Sequence, residues 1–172
     1  MVRRGKIAVD GVSPDTPLRV LYIGGCGRSG STILDTLLGN HPGMESVGEA
    51  CHIATNAWLR EDTYCACGKV GRDCDFWREV YCQWGRRVGP VDVAGYVETA
   101  REIDSRSRIS VAQRLLAAGD SKHVDYVRLT VGLLAAVRDV SGTEVVVDSS
   151  KAASRALALS MVEGVDLRLV HM

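Results

Sequence analysis

No charge of either sign is in surplus in this sequence: 21 Lys and Arg residues stand against 21 Asp and Glu. A nucleic-acid binder takes its affinity from a basic excess or a basic stripe, so that class is excluded. Apolar runs long enough to span a bilayer are missing as well, and with them a membrane-spanning helix. The basic start Met1-Val2-Arg3-Arg4-Gly5-Lys6 has no apolar segment behind it and does not read as a secretory signal. Six cysteines without such a signal point to a reducing, cytoplasmic setting, where disulfide frameworks are rare. What remains is a chain of 172 residues, 46% hydrophobic and 24% charged. That balance excludes wholesale disorder and suits one domain with an ordinary core.

Residues 1–17 have little periodicity and are expected to form a flexible leader before a domain spanning 18–172. Leu18-Arg19-Val20-Leu21-Tyr22-Ile23, stopped by Gly24-Gly25, predicts a central buried strand. Ile33, Leu34, Leu37 and Leu38 then recur at helical spacing up to Gly39-Asn40, with His41-Pro42 beyond the stop. Met44 to Gly48 suggests a short second strand. Phe76, Trp77, Val80, Tyr81 and Trp84 share one face of a docked helix, residues 91–117 read as helical, and Val124 to Val137 mark a longer helix between Asp120-Ser121 and Ser141-Gly142. Glu144 to Asp148 predicts a strand, Ala152 to Met161 a helix, and Asp166 to His171 a further buried strand. Strands alternating with helices predict an α/β fold with a parallel sheet flanked by helices, carrying a helical insertion over about 54–140.

Between the first strand and helix lies Gly24-Gly25-Cys26-Gly27-Arg28-Ser29-Gly30-Ser31-Thr32. Glycines there let backbone N–H groups turn inward, and the helix start adds partial positive charge, which together suit a phosphate. An ordinary tight turn needs fewer small residues. Gly25 and Gly30 have the separation of the nucleotide-triphosphatase loop, but Ser31 stands where that loop has its lysine. A kinase or nucleotide hydrolase is therefore the second reading; it would also need a magnesium-holding carboxylate, for which Asp148 is the one candidate.

The run Gly25 to Thr32, followed by Leu37-Leu38, His41-Pro42 and Gly48-Glu49, resembles the 5′-phosphosulfate region of sulfotransferases that use 3′-phosphoadenosine 5′-phosphosulfate (PAPS). Cys65-Ala66-Cys67-Gly68, Cys74-Asp75-Phe76-Trp77 and Val147-Asp148-Ser149-Ser150-Lys151 are similar to segments of the bacterial branch. The resemblance implies a P-loop nucleotide-kinase-like fold and a donor site made by Gly25, Cys26, Gly27, Arg28, Ser29, Gly30, Ser31 and Thr32. It also implies catalytic work for Arg28 and Lys151, which would neutralise the donor with no metal. The acceptor is expected to be a hydroxyl on a small molecule, sugar or lipid. Glu49 is the first candidate for general base and His52 an outside one. A direct count from the loop arginine to the Gly-Glu-Glu segment of the tyrosylprotein branch falls on Ala50 instead.

The family carries a second signature, for the donor's 3′-phosphate, after a strand like Asp166–His171; this sequence stops at Met172. The expectation is an N-terminal part of such an enzyme, able to self-associate through an incomplete sheet. A non-catalytic fragment with the same fold is the third reading. Cys65, Cys67 and Cys74, with Cys82 or His52, are candidate zinc ligands, but the C-x-C spacing is less usual than C-x-x-C, so free thiols or a local disulfide are expected first.

Overall fold

Four short parallel strands organise the chain. In the computed structural model, which describes residues 7–104 and 119–172, they are β1 (Leu18–Gly24), β2 (Met44–Ser46), β3 (Val145–Lys151) and β4 (Val165–His171), ordered β2-β3-β1-β4. Each parallel pair needs a crossover. Helix α1 (Ser31–Gly39) links β1 to β2, and α5 (Ala153–Ser160) links β3 to β4. Between β2 and β3 lies the insertion, with α2 (Asp75–Val88), α3 (Val93–Ile103) and α4 (Ser121–Ser141). The coarse class expected from the sequence, a parallel sheet flanked by helices, is the observed one. Among the described residues no helix is long and apolar enough to cross a membrane.

The core joins the sheet to the insertion. Leu18, Val20, Tyr22 and Val146 pack with Val127, Val131 and Leu134 of α4, all fully buried. Helix α4 starts after Asp120, whose carboxylate accepts the His123 N–H at 3.2 Å, and ends at Gly142 in the left-handed conformation. On α2, Val80 and Trp84 are buried while Tyr81 stays 39% exposed, and the Trp84 indole N–H donates to the Leu129 carbonyl at 2.8 Å. A Cβ on Gly132 would lie 2.5 Å from Val88 Cγ1, so the close approach of α2 and α4 requires glycine there.

Several expectations need correcting. The described part of the leader is docked: Ile7 bridges to Val162, and Val9 and Val12 belong to the core. Helix α3 ends at Ile103, and residues 105–118 of the expected 91–117 helix lie outside the described residues. Strand β3 runs through Lys151 rather than stopping at Asp148. Strand β4 is not buried, because β1 is its one neighbour among the described strands; Leu169 is 59% exposed. Helix α1 turns Ser31 and Asp35 inward and leaves Ile33 and Leu37 outward, and Asp35 Oδ1 is buried with no hydrogen-bond partner.

Candidate functional site

In a parallel sheet the loops that can converge on a ligand follow the carboxyl ends of the strands. Here β1 sends its crossover toward β2, and β3 sends its own the other way, toward β4. Adjacent strands whose connections run in opposite directions mark the topological switch point, beside which α/β sheets bind ligands. The glycine loop follows β1 at that point, and Lys151, at the end of β3, pairs in register with Gly24.

The loop is shaped by three residues with positive φ: Gly25 at 140°, Arg28 at 69° and Gly30 at 83°. At Gly25 a Cβ would fall 2.2 Å from the Met172 carbonyl oxygen, so glycine is required by contact as well as by conformation. Arg28 holds a left-handed backbone without being glycine, a strain of roughly 1–2 kcal/mol. Among the described residues its guanidinium is exposed and has no side-chain partner. Gly27 has open space around it, and the Ser29 hydroxyl is buried with no hydrogen-bond partner. An orphaned hydroxyl, a free guanidinium and open space at Gly27 suit a phosphate or sulfate group, while Met172 lies against the loop at Gly25 and Gly30.

Lys151 is the last residue of β3, with φ 65° and a side chain only 6% exposed. It is no surface lysine. Its Nζ donates to Glu49 Oε1 at 2.5 Å and to the Ser149 carbonyl at 3.1 Å. The other carboxylate oxygen of Glu49 lies 3.5 Å from His52 Nε2. Thus the structure brings together Lys151, Glu49 and His52 beside the glycine loop. Ala50, the position given by direct counting, is buried and turns its N–H to Asp148 at 3.4 Å. Donor atoms of Glu49, Cys51 and His52 lie within 4.8 Å of one another, but the Lys151 ammonium already supplies the cation there. Glu49 and His52 line a cavity of about 460 Å³ together with Asn56, Tyr64 and Trp77.

Sequence reasoning missed what holds this edge in place. Asp148 is fully buried and accepts from Arg155 Nε at 2.9 Å, from the Ser150 N–H at 2.9 Å and from the Ser150 hydroxyl. Arg155, also fully buried, lies 3.6 Å from Asp104, which accepts the Tyr126 hydroxyl at 2.6 Å. Burial works against the guanidinium charge, but Asp148, Tyr126, Tyr96 and Asp104 hold its pKa well above the ordinary value. Burial likewise pushes the Asp104 carboxyl up, against the pull of Arg155. Spacing gave no signal for this network, since Asp104 and Arg155 are far apart in sequence. On α1, burial raises the Asp35 carboxyl above its usual range.

Fold and site together define a parallel α/β protein with a glycine-rich loop at its switch point and a Lys–Glu pair beside it. Compared with known protein families, curated proteins and solved structures, the chain matches none.

Proposed function

We propose that this chain binds the 5′ end of PAPS in the Gly25–Thr32 loop and takes part in sulfuryl transfer to an acceptor hydroxyl. The observation that carries the reading is the buried Lys151 held on Glu49 at 2.5 Å, next to Gly24 where the loop begins. Sulfuryl transfer, by analogy with phosphoryl transfer, asks a protein chiefly to position partners and stabilise charge on the leaving oxygen. Arg28 and the loop N–H groups would grip the phosphosulfate, and Lys151 would face the bridging oxygen. The acceptor oxygen forms its bond to sulfur as the sulfur–oxygen bond to the 5′-phosphate breaks. The acceptor proton passes to Glu49, and adenosine 3′,5′-bisphosphate leaves. Lys151 holds one oxygen of Glu49, His52 Nε2 lies 3.5 Å from the other, and both Glu49 and His52 line the 460 Å³ cavity. A cavity lined by a carboxylate, Tyr64 and Trp77 suits a hydroxyl borne on a partly apolar or ring-shaped acceptor.

The kinase or hydrolase reading has less support. Ser31 replaces the loop lysine, and Asp148, its candidate magnesium ligand, is sealed against Arg155 and Ser150. Calorimetric titration with adenosine 3′,5′-bisphosphate and separately with ATP tests the proposal. Binding of the bisphosphate is expected to weaken about ten- to a hundredfold in Arg28→Ala, the worth of a charge-assisted contact of about 1.5–3 kcal/mol. Preference for ATP, or bisphosphate binding unchanged by Arg28→Ala, would refute it.

A further inference from the structure

Three sulfurs from two separate segments meet at one end of the insertion. Cys65 and Cys67 sit on a tight turn closed by Cys65 N–H to the Lys69 carbonyl at 2.8 Å and Gly68 N–H to the Cys65 carbonyl at 2.9 Å, where Tyr64 and Val70 bridge in antiparallel fashion. Cys74 arrives from the other direction as the residue that caps the amino end of α2. Its Sγ lies 3.5 Å from that of Cys65 and 3.5 Å from that of Cys67, and all three fall within 4.8 Å of one another. None is in a disulfide. Cys82, weighed as a fourth member, is exposed on α2 and outside the cluster.

These distances have a meaning for a metal. Thiolates at about 2.3 Å from a tetrahedral zinc ion stand about 3.8 Å from each other, the spacing the three sulfurs already approximate. A disulfide answers the arrangement less well. Cys74 is equally near both partners, and pairing with either leaves a third thiol against the bond. The surrounding backbone also supplies what thiolates need. Cys74 stands at the amino end of α2, where the unpaired first-turn N–H groups of a helix favour a thiolate.

We propose that Cys65, Cys67 and Cys74 supply three thiolates to a zinc site separate from the donor loop. Among the described residues no fourth donor joins the cluster, so the remaining coordination position is left to a small exchangeable ligand such as water, on the side of the exposed Cys67. The ion would fasten the hairpin to α2. Gly71, between them, packs so closely on Ala57 that a Cβ would sit 2.6 Å from its Cα, and Cys65 itself lines the 460 Å³ cavity. The C-x-C spacing argued against metal because spacing alone cannot show Cys74 folding back onto the pair. This site does not depend on the reaction proposed above.

The test is elemental analysis of the full chain purified under reducing conditions, with and without reconstitution in zinc. Roughly one zinc per chain is expected, lost in Cys67→Ser and retained in Cys82→Ser, with the circular dichroism of both variants native-like. Should Cys67→Ser fail to fold, reconstitution of the wild-type chain with Co²⁺ decides: thiolate-to-cobalt charge-transfer absorption is expected. No zinc uptake, copper or iron in its place, zinc content unmoved by Cys67→Ser, or no charge-transfer band would overturn the site.

Discussion

Arg155→Met tests the network beneath the site. Arg155 and Asp148 are both fully buried and joined at 2.9 Å, and Asp148 sits three residues before Lys151 on the same strand. Methionine keeps much of the side-chain volume but removes the charge, leaving the Asp148 carboxylate in the interior with only Ser150 and the Ala50 N–H as partners. Removing one member of a buried ion pair costs about 3–5 kcal/mol, a large part of the 5–15 kcal/mol that stabilises a typical domain. At about 2–4 °C per kcal/mol for a chain of this size, the melting temperature should fall by about 6–20 °C. Most of that cost belongs to the stranded charge, so adding Asp148→Asn to Arg155→Met should recover part of it. Thermal and urea melts of the wild type, both single variants and the double variant close the cycle. A melting point for Arg155→Met within about 2 °C of wild type, or a double variant less stable than Arg155→Met alone, would refute the reasoning.

Glu49→Gln should leave bisphosphate binding within about twofold and lower PAPS-dependent turnover about 10²- to 10⁴-fold in a form of the protein that shows activity, the usual range for losing a general base; near-normal turnover would pass the role to His52. For Asp35 the sign follows from its raised pKa. The folded state holds that proton more tightly than the unfolded chain does, so its contribution is fully present below the ordinary value of 3.8 and is lost as pH rises through the raised one. Asp35→Asn should therefore gain stability relative to wild type as pH is raised from below that ordinary value to neutrality. Urea midpoints at the two ends measure it, and a pH-independent difference would show that burial does not perturb Asp35.

Local signals were legible because their physics is local. The apolar run of β1, the glycines after it, the Asp120 cap and the Gly142 stop of α4 each act through neighbours in the chain, and each stands where its residue types place it. Glu49 and Lys151 were candidates through the resemblance, each following a strand expected from the sequence. Their meeting was not legible there. It follows from β3 inserting between β2 and β1, which carries Lys151 102 positions along the chain back to Glu49. Asp35 turns inward against the apolar spacing of α1, and Arg155 of α5 meets Asp104, the residue that closes α3, only in the folded chain. Likewise the three sulfurs are ordinary thiols in sequence and a cluster in space. Periodicity and turn chemistry decide which elements form, whereas burial of charge and convergence of side chains depend on which elements meet, and that is settled by packing the whole chain.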